Sequence, residues 1–138
     1  MGELVRMSIS IEDDLLERLD RLVAESSYTN RSEFIRDMIR DSLVQREWDR
    51  DEEVVGTLTL LFDHDARGLS DRLTDIQHEH HGCVLASTHV HLDRHLCAEM
   101  ILLRGRAAQL KDVADLLRQQ KGVLHSSLSV GSTGASLA

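Results

Sequence analysis

Over Arg6-Met7-Ser8-Ile9-Ser10-Ile11 polar and apolar residues alternate, the period of a half-buried strand. The period then becomes that of a helix, with Leu15, Leu16, Leu19, Leu22 and Val23 on one stripe. Asn30-Arg31-Ser32-Glu33 follows, a cap residue with an acid three positions on, and opens a second helix. Its stripe is Phe34, Ile35, Met38, Ile39 and Leu43. One strand and two helices cannot close a core, and a lone strand leaves an unpaired edge. Pairing with the same strand of a second copy answers both needs. The pattern therefore predicts an intertwined dimer around a two-stranded antiparallel ribbon.

A charged run at 45–53, Gln-Arg-Glu-Trp-Asp-Arg-Asp-Glu-Glu, separates this region from the next. It reads as part solvated helix end and part linker. Beyond it the spacing predicts strand 54–62, helix 66–80, strands 84–92 and 96–104, helix 106–120 and strand 123–130. The helices rest on Leu69, Leu73 and Ile76, then on Leu110, Val113, Leu116 and Leu117. The order β-α-β-β-α-β is the ferredoxin-like pattern. The chain is thus expected to be α+β: a β-α-α dimerisation domain at 1–48, a linker at 49–53, and a ferredoxin-like domain at 54–131. The tail at 132–138, rich in Gly and Ser, reads as disordered.

In the ribbon, Met7, Ile9 and Ile11 face the helices and Arg6, Ser8 and Ser10 face out. A two-stranded ribbon fits a DNA major groove, where Arg engages guanine and Ser donates or accepts. The helix start at Asn30, Arg31 and Ser32 offers amides and a positive dipole end to a phosphate. Alternation by itself favours an ordinary solvated strand face. Charge also weighs against a generic nucleic-acid binder: 16 Lys and Arg stand against 24 Asp and Glu, a net charge of -8. Residues 1–50 carry 8 basic and 12 acidic side chains. Such a domain binds DNA weakly unless another event organises it. No apolar stretch approaches the roughly 18 residues of a membrane span, and Met-Gly-Glu-Leu-Val-Arg is no signal-peptide core. Two cysteines in unlike surroundings make no disulfide framework. A soluble, cytoplasmic protein is expected.

The chemistry concentrates in the second region. His89 and His91 lie two residues apart on a strand and so share a face. In a hairpin centred on Arg94, His91 falls opposite Cys97 and His89 opposite Glu99. The opposite face then carries Val90, Leu92, Ala98, Met100 and Leu102, an apolar set. Two imidazoles and a thiol on one face are costly to bury without a partner, which favours a metal. A further imidazole from the helix ending Gln77-His78-Glu79-His80-His81 would complete four-coordination. Zinc with His and Cys ligands is one solution; a planar arrangement suits Ni(II) or Cu(II). Spacing alone does not choose between them.

The strand-helix-helix order, with Asn30-Arg31-Ser32-Glu33 at its helix start, resembles the ribbon-helix-helix transcription factors. From about residue 4 to 130 the chain resembles the nickel-responsive regulators, which join such a domain to a ferredoxin-like regulatory domain of the ACT type. The resemblance rests on Arg6-x-Ser8-x-Ser10, Asn30-Arg31-Ser32-Glu33-x-x-Arg36-Asp37, Gln77-His78-x-His80-His81, and Thr88-His89-Val90-His91 followed by Cys97-x-Glu99. It implies planar Ni(II) held by His89, His91 and Cys97 of one subunit and His78 of a neighbour. It implies that Gln77 and Glu99 orient those ligands, that Glu33 and Asp37 hold a potassium ion between the domains, and that Arg67 touches the DNA backbone. It further implies a homotetramer on an inverted-repeat operator in double-stranded DNA, and repression of nickel-uptake genes.

Some positions depart from the pattern. Ser8 and Ser10 stand where some relatives have threonine, Phe62 where some have tyrosine, and Ala66 where a second basic DNA contact is expected. His64, His80, His81, His95 and His125 fall outside the four-ligand set and read as solvated, and Cys83 as a small buried residue. Three other readings stay open: a metal-storage protein, a metal-independent antitoxin-type repressor, and a sensor for cobalt or copper. No nucleophile–base pair stands out, and a saturated four-ligand site has no open position for substrate, so no enzyme is expected.

Overall fold

The computed structural model describes residues 2–137 and contains two compact units. The first comprises residues up to Leu43 together with 134–137; the second is Val44–Thr133. In the first, α1 (Asp13–Glu25) opens on Asp13 and Asp14, acids that suit the positive end of a helix dipole. No residue of α1 is buried. Ser27, at φ 60, turns the chain toward α2 (Arg31–Asp49). Asn30 caps that helix: its Oδ1 accepts the Glu33 N–H at 2.9 Å. The reciprocal half of a capping box is missing, because Glu33 Oε2 accepts from Thr29 Oγ1 instead.

The strand expected over Arg6–Ile11 is not formed within one chain. Residues 2–12 carry no regular structure, and Leu4 is 86% exposed. Arg6, Met7, Ser8, Ile9 and Ser10 are all exposed, so neither face is buried. The physical reason is the one that made the strand unusual in the sequence. A ladder needs a second strand, and this chain offers none there.

In the second unit the order is β1 (Glu53–Asp63), α3 (Leu69–Glu79), β2 (Val84–His91), β3 (Leu96–Arg106), α4 (Ala107–Arg118) and β4 (Val123–Val130). The strands form one antiparallel sheet in the order β2-β3-β1-β4, the ferredoxin-like arrangement. Val54, Leu58, Leu60 and Phe62 of β1 and Ile101 and Leu103 of β3 meet Leu69, Leu73, Leu110, Val113 and Leu117 of the helices in one core. Helix α3 begins later than the expected 66 because Gly68 sits at φ +71, outside helical space. Asp63 to Leu69 is instead a chain of turns, with Asp63 O accepting from Ala66 and Ala66 O from Leu69.

The helices cover the sheet face that carries Cys97 and Glu99. Val90, Leu92, Met100 and Leu102 are exposed, whereas Cys97, Glu99, Ile101 and Leu103 are buried. Alternation groups residues by face but does not say which face the helices cover. The metal-ligand face is therefore the core face, and the apolar set lies on the open side of the sheet.

Candidate metal centre and DNA-facing residues

The β2/β3 register is the one read from the sequence: His89 pairs with Glu99 and His91 with Cys97. Asp93 holds the turn, its Oδ1 accepting from the amides of His95 at 2.7 Å and Leu96 at 2.9 Å. Cys97 is 0% exposed, and its Sγ lies 3.3 Å from His91 Nδ1. His89 stands beside His91, ring centroids 5.1 Å apart, and meets the Phe62 ring edge-to-face at 5.5 Å.

A third imidazole joins them. His64 Nδ1 is 3.4 Å from Cys97 Sγ, and the ligand atoms of His64, His91 and Cys97 all lie within 4.8 Å of one another. With metal–sulfur and metal–nitrogen bonds near 2.3 and 2.0 Å, donors lie about 3.1 Å apart at a right angle and about 3.5 Å apart in a tetrahedron. The observed spacings fall between, so this donor set fits a thiolate-binding metal in either geometry. His64 was read as solvated. A signal for it exists: Phe62 pairs with Cys97, and residue 64 shares the face of residue 62. The His64 amide extends that pairing by donating to His95 O at 2.7 Å.

His78 does not join the cluster. It lines a separate cleft of about 230 Å³ with Gln77, His81, Ser87 and Glu99. Gln77 and Glu99 are both buried, and Gln77 Nε2 donates to Glu99 Oε1 at 3.0 Å and to Leu73 O at 3.2 Å. Glu99 is thereby fixed directly across from His89. Burial holds the Cys97 thiol above its ordinary pKa, and the carboxylates of Asp93 and Asp65 push the same way. Asp65 in turn pairs with His95 at 2.6 Å and raises that imidazole's pKa. His80 bonds Ile76 O through Nδ1 and His81 bonds His78 O. Cys83 is buried, as expected, which raises its pKa.

In the first unit Arg31 is engaged by Asp20 through two parallel bonds of 2.7 and 2.9 Å. A phosphate would have to displace that carboxylate. Asn30 spends its side chain on the cap and on Thr29, while Ser32 is exposed. Glu33 and Asp37 line a cleft of about 320 Å³ with Tyr28, Arg36 and Arg40. Asp37 accepts from Tyr28 Oη at 2.6 Å and from Arg40 at 3.0 Å, contacts that hold its carboxyl below the usual range. In the second unit Arg67 lies exposed in the turn before α3 rather than on the helix.

Residues 55–130 match the family described as NikR C terminal nickel binding domain, and residues 5–46 match the ribbon-helix-helix protein, copG family. Over 138 residues, 99% of each chain, the sequence is 50% identical to a protein of Geobacter sulfurreducens. Over the same span it is 49% identical to one of Geobacter metallireducens and 47% identical to one of Nitratidesulfovibrio vulgaris. All three carry the name nickel-responsive regulator. Among the described residues no helix is long and apolar enough to cross a membrane.

Proposed function

Because this chain belongs to the nickel-responsive regulators, a ribbon-helix-helix part joined to the family's nickel-binding domain, we propose that Ni(II) loading drives it onto an operator to repress nickel-uptake genes. It is a DNA-binding transcriptional regulator that responds to nickel, not an enzyme. The observation that carries the site assignment is the hairpin register, which sets His89 and His91 on one face with the buried Cys97 thiol. His89, His91 and Cys97 of one subunit and His78 of a neighbour hold the ion, oriented by Gln77 and Glu99. When bound, nickel would cross-link the two subunits through these four side chains. The separation of His78 from the cluster in one chain supports its donation to another copy.

The functional chain is a cytoplasmic homotetramer, with regulatory domains of the ACT type. The exposed Leu4, Val5, Met7 and Ile9 and the open sheet face of Val90, Met100 and Leu102 support self-association through both units. The DNA-binding part is residues 1–48, where Arg6, Ser8 and Ser10 read bases in the major groove. Asn30, Arg31, Ser32 and Arg67 hold backbone phosphates, Arg31 exchanging Asp20 for one. Glu33 and Asp37 take the potassium ion. Two ribbons in one tetramer call for an inverted repeat with half-sites more than one helical turn apart. By linkage, DNA tightens nickel binding by the factor by which nickel tightens DNA binding.

The His64–His91–Cys97 cluster favours a second reading, a tetrahedral zinc or cobalt site within one chain. Nickel titration of the metal-free protein, followed by electronic absorption, separates the two. The cross-subunit site gives one planar thiolate-bound nickel per chain that His78→Ala abolishes and His64→Ala retains. The reverse pattern would replace it with the single-chain site.

A further inference from the structure

Within the second unit, two connections distant in sequence meet: the turn between β1 and α3, and residues 119–122 between α4 and β4. Arg72, half-buried on α3, spans both. Its Nη1 donates to Arg67 O and its Nη2 to Lys121 O, each at 3.0 Å. A guanidinium is a rigid planar fork, so it fixes the spacing of the two backbones it joins. The two residues it holds by their carbonyls both carry cationic side chains, and both side chains are exposed. Elsewhere in this unit guanidiniums lie on carboxylates: Arg104 on Glu53, Arg106 on Asp51 and Arg118 on Asp115. Among the described residues no ion pair holds Arg67 or Lys121. The acids of the turn are engaged otherwise, Asp65 with His95 and Asp63 with the Asp65 amide.

We propose that Lys121 is a second DNA-backbone contact beside Arg67, and that Arg72 positions the pair as a two-cation clamp on phosphates. The idea rests on the DNA-binding reading above. A second basic contact was expected at position 66, where Ala66 stands. Ala66 packs on the other connection: a Cβ added at Gly122 would stand 2.6 Å from its own. The missing charge is thus supplied from across that contact, by the residue next to Gly122. An ammonium is a compact point charge, suited to a phosphate and indifferent to base sequence. Arg72 spends its fork on two carbonyls, so it acts through Arg67 and Lys121 rather than on DNA. In a chain of net charge -8, a locally unopposed pair of cations decides where a phosphate can rest.

The test uses the nickel-loaded full chain and a duplex that the wild type selects from a random-sequence pool. Its readout is the slope of log affinity against log salt concentration, which counts phosphate contacts. Lys121→Ala lowers that slope by about 0.9 for each chain that sets Lys121 on a phosphate. Lys121→Arg restores it. Lys111, on α4, is the chain's other lysine, and Lys111→Ala removes the same charge but leaves the slope at its wild-type value. Arg72→Lys keeps the charge and loses the fork, so it lowers the slope as well while the nickel absorption bands persist. A wild-type slope in Lys121→Ala, or an equal loss in Lys111→Ala, would overturn the clamp. A folded Arg72→Lys protein with the wild-type slope would overturn the part given to Arg72. Should Arg72→Lys not fold, the exposed Lys121 decides the matter alone. A wild-type protein that gains no DNA affinity with nickel would instead sink the functional reading itself.

Discussion

Cys97→Ala lowers nickel affinity by more than about 100-fold and, with it, removes nickel-dependent DNA binding. Residues that merely orient ligands cost about 10–100-fold when lost, and a ligand costs more. Cys97 is the only thiol beside the two strand histidines, the other cysteine, Cys83, being hydrogen-bonded to His80 O. Deleting one buried sulfur removes on the order of 1 kcal/mol from a fold worth roughly 5–15 kcal/mol, so the metal-free variant stays folded. The raised thiol pKa sets a second expectation. The metal-free protein holds Cys97 as a neutral thiol at pH 7, and metal binding must displace that proton. Nickel affinity therefore rises with pH through neutrality, about tenfold per unit for this one proton. Competition titrations against a chelator at several pH values read both quantities. A Cys97→Ala protein with wild-type nickel affinity would remove the thiolate from the site.

The hairpin was legible because it needed only a period of two and a turn centre. Once Asp93 to His95 is the turn, His91 must face Cys97, whatever else the chain does. What escaped the sequence depended on information that periodicity lacks. The open side of the sheet carries Val90, Met100 and Leu102, and the side bearing Cys97 and Glu99 is the one the helices cover. Alternation is symmetric between these outcomes. The start of α3 was set by the φ of Gly68, and the course of the charged run, expected to be part linker, by the indole of Trp48, 2% exposed, and the backbone conformation of Asp51. His64 was recoverable from its spacing to Phe62, but only with β1 placed beside β3, a pairing distant in sequence.

The misses at His64 and Gly68 share a location. His64, Gly68 and the turn that contains Arg67 all lie between β1 and α3, so one short segment links a candidate ligand to a candidate DNA contact. It is held by its own turns and by the α4–β4 connection packed against it. Asp63 N–H donates to Gly122 O at 2.9 Å, and Gly122 faces Ala66 and Leu69.

Gly122→Ala is therefore the backbone substitution expected to cost most. Gly122 sits at φ +105, where L residues are strained by roughly 1–3 kcal/mol. An added Cβ would also stand 2.6 Å from Ala66 Cβ and 2.8 Å from Leu69 Cδ2. Ala66 has no rotamer with which to yield, and Leu69 is fully buried, so the overlap must be relieved by moving backbone. Together these put the loss at about 3 kcal/mol and the fall in melting temperature at about 10 °C in metal-free protein. The relief moves the segment that bears His64 and Arg67. Gly82→Ala is the control: nothing lies within 4 Å of its added Cβ and its φ is not positive, so it stays within about 0.5 kcal/mol of wild type. Thermal and urea melts of the two variants side by side decide the matter. Equal melting of Gly122→Ala and Gly82→Ala would mean that the contact between the α4–β4 connection and the turn before α3 does not constrain the segment that carries His64 and Arg67.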